Sequence, residues 1–104
     1  MTPRQGDIWW AEPPDMKGRP YLVLTRDTAI DVLNAVLAAP LTTTIRSIPT
    51  EIALGVADGV HRECVATADN VVTIRRVHLV RRVARLADSR WHEVCAAIKA
   101  GIDC

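Results

Sequence analysis

Prolines and glycines cut this chain into apolar pieces too short for anything but strands, and that spacing limits the fold more than any other feature. Residues 6–12 read as a first strand, halted at Pro13 and Pro14 because consecutive prolines remove ladder donors and hold the backbone extended. The run 20–25 is apolar almost throughout and suits a strand buried on both faces, while 27–33 can form a short helix or a loop. Further strand-like runs follow at 35–41, 49–54, 63–67, 71–74 and 80–86, with Gly55 and Asp58-Gly59 turning the chain between two of them. Only the last segment carries a helical period. Trp91, Val94, Cys95 and Ile98 fall at i, i+3, i+4 and i+7, an apolar stripe that has to lie on the sheet. Asp88 or Ser89 can cap the start of this helix, and Gly101 suits its stop. Six or seven short strands with one packing helix predict a mainly β chain, α+β in detail. The expected shape is a small, strongly bent barrel or half-barrel of short antiparallel strands.

At 104 residues, with no linker, repeat or low-complexity tract, the sequence predicts one domain over 1–104. A domain of that size can draw much of its stability from an oligomer interface. Phe is absent, so the core must rest on Val, Leu, Ile, Ala and three Trp. Met1 is not followed by a basic stretch and an apolar leader core, and no apolar run approaches membrane length, which points to a cytoplasmic protein with no membrane partner. Cys64, Cys95 and Cys104 are odd in number and lack C-x-x-C spacing, so neither a disulfide framework nor a zinc site is expected; all three read as buried or incidental thiols. Asp and Glu do not cluster at metal-ligand spacing either, and no cofactor or metal is expected. The net charge of +1 conceals an asymmetry: residues 1–74 carry 6 basic and 9 acidic side chains, residues 75–104 carry 7 and 3. In the basic part Arg75, Arg76, Arg81, Arg82 and Arg85 either present forked donors to phosphates or to a partner's carboxylates, or form an ordinary solvated face.

Two short motifs set polar side chains at the ends of strand-like runs. Gly18-Arg19-Pro20 leads into 21–25, and Pro40-Leu41-Thr42-Thr43-Thr44 closes the run 35–39. Arg19 stands between a flexible and a rigid residue, which fixes its backbone and leaves its guanidinium free to fork onto phosphate oxygens. A threonine hydroxyl at a strand end can donate to a phosphate while accepting from the backbone. Asp69 and Asn70 lie in the turn before 71–74, where such residues usually bond their own backbone. Trp9 and Trp10 are adjacent, so in a strand one faces the core and the other outward; core or dimer packing is the expected fate of both, with stacking on a base the alternative for the outward ring.

Taken in order, together with Gly6-Asp7-Ile8-Trp9 at the start, these motifs resemble the MazF/PemK family of toxin endoribonucleases over most of the chain. The resemblance implies an SH3-like barrel with a C-terminal helix, a homodimer as the working unit, and sequence-selective, metal-independent cleavage of single-stranded RNA. Attack by the 2′-hydroxyl would leave a 2′,3′-cyclic phosphate and a 5′-hydroxyl. Arg19 aligns with the family's catalytic arginine and Thr42 with its catalytic threonine. Thr43 corresponds to a neighbouring RNA-binding position, Asp69 to an aspartate placed near the RNA, and Asn70, where relatives more often carry Gln, is taken to bind substrate beside it. The implied partners are single-stranded RNA, a second copy of the chain, and a small cognate antitoxin whose acidic, disordered tail occupies the RNA groove. Proton transfer stays open among His61, His78 and His92, with Glu12 or Asp15 as carboxylate alternatives. Loops 13–17 and 46–49 are expected to set which bases are recognised. Two other readings remain. One is a gyrase poison of the same fold, lowered because 100–104 lacks that group's Trp-Gly-Ile ending; the other is a non-catalytic SH3-like binding module.

Overall fold

Each of the seven expected strands forms within about two residues of its expected ends. In the computed structural model, which describes residues 2–103, the order is β1 (Asp7–Ala11), β2 (Arg19–Val23), a helical turn α1 (Asp27–Ile30), β3 (Ala35–Thr42), β4 (Glu51–Leu54), β5 (Cys64–Thr67), β6 (Val72–Arg75), β7 (Leu79–Arg85) and helix α2 (Trp91–Ile102). The expectations made at Met1 and for the Cys104 thiol lie outside the described residues.

All pairings are antiparallel, and β3 organises them. Along one edge it pairs β2, with Tyr21 opposite Pro40 and Val23 opposite Ala38; along the other it pairs β6 over Ala35 to Ala38 and β5 at Leu41 and Thr42. The change of partner falls at Ala39 and Pro40, where proline has no N–H to give to a ladder. β1 joins β2 to β7, and β4 extends β5. No pairing links β4 to β7 among the described strands, so the expected barrel is a strongly bent sheet that stays open.

Alternation along β1 to β3 divides the core. Ile8, Leu22, Ala39 and Leu41 face α2, which meets them with Val94 and Ala97, flanked by Trp91 and Ile98. Trp9, Val23 and Val36, and beside them Ala11, Tyr21, Ala38 and Ile74, fill the opposite face. Strands buried on both sides explain why these runs are apolar almost throughout.

Helix α2 departs from expectation in three details. Its inward face uses Ala97 rather than Cys95, which is exposed. Neither Asp88 nor Ser89 caps it through a side chain. A 3₁₀ turn over Asp88–Arg90 leads into the helix through backbone bonds, while the Asp88 carboxylate accepts from Arg85 on β7. Gly101 lies inside the helix, which runs on until Asp103 takes the left-handed conformation at φ 53°. Among the described residues no helix is long and apolar enough to cross a membrane.

Candidate functional site

Two cavities flank the end of the β2/β3 pair, and they take up four of the five residues singled out from the sequence. Arg19, the first residue of β2, is half-buried, and its guanidinium makes no hydrogen bond or ion pair to any described residue. It lines a cavity of about 260 Å³ with Met16, Lys17, Tyr21, Pro40, Asn70 and Val72. The walls are apolar, and the polar groups are two cations, one amide and one phenol. Arg19 reaches this position because Gly18 lets the 12–18 loop press against Trp10: a Cβ at residue 18 would stand 3.0 Å from the indole and 3.2 Å from the Glu12 side chain.

The second cavity, about 110 Å³, is lined by Pro20, Leu41, Thr42, Thr43, Val60, His61, Arg62 and Cys64. The Thr42 hydroxyl accepts from the Thr44 N–H at 3.1 Å, which fixes its oxygen and leaves its own proton to donate. The β2/β3 pairing ends at Tyr21 opposite Pro40, so Arg19 and Thr42 each lie two residues beyond the last pair, at the same end of the two strands. His61 and Arg62 enter from the β4–β5 connection. That connection skirts β7 through Gly59 at φ 92°, where a Cβ would come within 3.1 Å of the Ala84 side chain. The cavity's thiol, Cys64, is buried; desolvation, with Asp58 nearby, pushes its pKa above the usual thiol value and leaves it a poor nucleophile.

Asp69 joins neither cavity. Its carboxylate does not bond its own backbone as expected of an aspartate in a turn but accepts from the Thr50 hydroxyl, 19 residues away, at 2.6 Å, and its N–H donates to the Thr67 hydroxyl at 3.2 Å. Its neighbour Asn70, at the end of the same 3₁₀ turn (Ala68–Asn70), lines the Arg19 cavity instead. The histidines separate as well. His61 lines the Thr42 cavity, the His78 carbonyl accepts from the Glu12 N–H, and exposed His92 sits with Nδ1 at 3.0 Å from the Ser89 carbonyl at the start of α2.

The basic cluster is not one face. Arg85 is bound to Asp7 and Asp88, Arg76 donates to the Ile30 carbonyl, and Arg81 stacks 6.0 Å from the centre of the Trp10 ring. Arg75 and Arg82 are exposed. Trp9 turns inward and donates to Asp7, while half-buried Trp10 donates to Glu12. Among the described residues no three His, Cys, Asp or Glu side chains gather as a metal site requires.

Reading the sequence alone missed Tyr21 and Lys17 in the first cavity and the pairing of His61 with Thr42 in the second. Tyr21 carried a signal, since a residue two along from Arg19 in a strand shares its face. The approach of His61 carried none, because it depends on how β5 adds to β3.

The family described as PemK-like, MazF-like toxin of type II toxin–antitoxin system matches residues 4–102. The chain belongs to that family. It is 39% identical over 103 residues to the probable endoribonuclease MazF5 of Mycobacterium tuberculosis, covering 98% of this chain and 94% of that one. Its fold is similar to that of the M. tuberculosis toxin MazF-mt6, with a TM-score of 0.86, 33% identity, and coverage of 93% of this chain and 96% of that one. A mycobacterial endoribonuclease in complex with its cognate antitoxin shares the fold at a TM-score of 0.86 and 24% identity, covering 97% and 95% of the two chains. The open, bent sheet with its terminal helix is thus the family's architecture.

Proposed function

We propose that this toxin is an endoribonuclease that cuts single-stranded RNA at the end of the β2/β3 pair, with Arg19 and Thr42 stabilising the reacting phosphate. One observation supports this most: an unpaired guanidinium and a hydroxyl held by the backbone stand at the same end of two neighbouring strands beside two cavities, open to an incoming polyanion. The 2′-oxygen of the substrate attacks the adjacent phosphorus, the bond from phosphorus to the 5′-oxygen breaks, and the products are a 2′,3′-cyclic phosphate and a 5′-hydroxyl. The 2′-hydroxyl gives up its proton and the departing 5′-oxygen gains one. Arg19 neutralises charge growing on the non-bridging oxygens, and Thr42 donates to one of them. Thr43 and Asn70 line the path of the RNA; Asp69, tied to Thr50, acts by holding the turn that presents Asn70. His61 is the imidazole that shares a cavity with Thr42 and so the histidine to test for proton transfer.

The same reading includes a second copy of the chain. Val32, Leu33, Leu37, Val77 and Val80 are 47% to 78% exposed. Two hollows meet at Asn34: one, lined by Leu24, Leu33, Val36 and Leu37, extends that apolar surface, and the other sets Arg75 and Arg76 beside Trp9, Val77 and Leu79. Such a surface on a small domain suits a homodimer. The cytoplasmic partner is an antitoxin whose acidic, unstructured tail offers carboxylates to Arg19 where RNA offers phosphates.

The test is product analysis. RNA should be cut in the presence of EDTA to ends bearing cyclic phosphate and 5′-hydroxyl, and neither DNA nor RNA with a 2′-O-methyl group at the scissile nucleotide should be cut. Cleavage of the 2′-O-methyl substrate would refute the substrate's own hydroxyl as nucleophile.

A further inference from the structure

Tyr21 is the only tyrosine of the chain and has no solvent exposure; its ring packs with Ala11, Ala38 and Ile74. Phenylalanine would meet that packing equally well. The hydroxyl adds a polar atom sealed from solvent that has no hydrogen-bond partner among the described residues, and such a group carries its full desolvation penalty. Tyr21 is one of the residues that line the Arg19 cavity.

The polar groups around that cavity are complementary to this orphan. Arg19 lies two residues earlier on β2, so the two side chains leave the strand on the same face. A guanidinium has five donors and no acceptor, while the Asn70 amide offers an acceptor oxygen. Lys17, the remaining polar group of the lining, is an exposed loop residue with donors only and cannot take the phenol's proton.

We propose that Tyr21 is a positioning residue for the cleavage reaction: when RNA engages Arg19 at the cavity, the phenol oxygen accepts from the guanidinium and its O–H donates to the Asn70 amide oxygen. The bond holds the guanidinium fork in one orientation toward the phosphate and satisfies a hydroxyl that is otherwise buried at a loss. This rests on the reading of Arg19 as the arginine that acts on the phosphate.

The experiment compares Tyr21→Phe with the wild type in thermal stability and in kcat and KM on an RNA oligonucleotide spanning a mapped cleavage site. Arg19→Ala and Arg19→Lys are measured in parallel. Removing an unpartnered buried hydroxyl should leave stability unchanged or raise it, while kcat falls by at least about 10-fold, the worth of one hydrogen bond to a charged group. KM should stay near the wild-type value. In the Arg19→Lys background the same change should cost less, because the fork that Tyr21 orients is gone. An unchanged kcat, a fall in stability, an effect on KM alone, or an equal loss in both backgrounds would each overturn the proposal. If Arg19→Ala itself cut at the wild-type rate, the reading of Arg19 would be what failed.

Discussion

Replacing Asp7 with Ala should cost this small domain a large share of its stability. The Asp7 carboxylate is 1% exposed and accepts three hydrogen bonds: from the Arg4 N–H at 2.9 Å, from the Trp9 indole at 3.2 Å and from the Arg85 guanidinium at 3.1 Å. Breaking a buried pair from one side typically costs about 3–5 kcal/mol, because a charge is stranded. Here Arg85 is 39% exposed and keeps Asp88 and the Gln5 carbonyl, so the stranded charge is a smaller part of the cost. The larger part is the Trp9 N–H, on a side chain packed into the core, where an unsatisfied donor costs on the order of 1–3 kcal/mol; the N–H of exposed Arg4 adds less. The sum is about 3 kcal/mol, or roughly 12–20 °C in Tm for a domain near 100 residues. Urea and thermal unfolding followed by circular dichroism, at one fixed protomer concentration, would measure it. Asp7→Asn, which keeps an acceptor oxygen, should lose about half as much. A loss below about 1 kcal/mol in Asp7→Ala would mean that the three bonds do not hold β1 against β7, and the reasoning would fail.

Acid should destabilise the fold through three carboxylates. Asp27 is held below its usual pKa by the Gln5 N–H and by Arg4; Glu93 is lowered by the hydrogen bonds from Arg90; for Asp58, burial pushes upward but the bonds from Arg90 and the Gly55 N–H outweigh it. The unfolded chain therefore takes up these protons at a higher pH than the folded one. Stability is fully present above the ordinary carboxylate range, near pH 4 to 4.5, and falls as pH drops through and below it; a urea midpoint that rose on acidification would contradict this. Arg90→Ala should cost about 2 kcal/mol, since Arg90 joins Asp58 at 2.7 Å, Glu93 at 2.8 Å and the Ala53 carbonyl at 2.6 Å while only 25% exposed. The variant should also show a shallower acid slope, and an unchanged slope would refute the role given to Arg90.

The strands were legible because Pro and Gly mark their ends, and helix α2 because its stripe has one period. Its boundaries were not legible. Asp88 is drawn to Arg85, a residue on another element, and the helix outruns Gly101 into Asp103. At the candidate site Arg19 and Thr42 could be read from local motifs at strand ends. That Arg19 shares a cavity with Asn70, and Thr42 with His61, could not be read, because β3 pairs β2 on one edge and divides the other between β5 and β6. Asp69 was legible as a turn residue, and its bond to Thr50 ties that turn to the residue before β4. Glu12, open as a carboxylate alternative for proton transfer, accepts from the Trp10 indole.

The assignment of Arg19 is tested most directly by the single-turnover cleavage rate of Arg19→Ala, on an RNA that the wild-type chain cuts, with the fold verified by circular dichroism. Loss of one preorganised donor to a developing phosphate charge should slow cleavage by at least about 10²-fold without changing the fold. A folded Arg19→Ala that cut RNA at the wild-type rate would contradict the assignment.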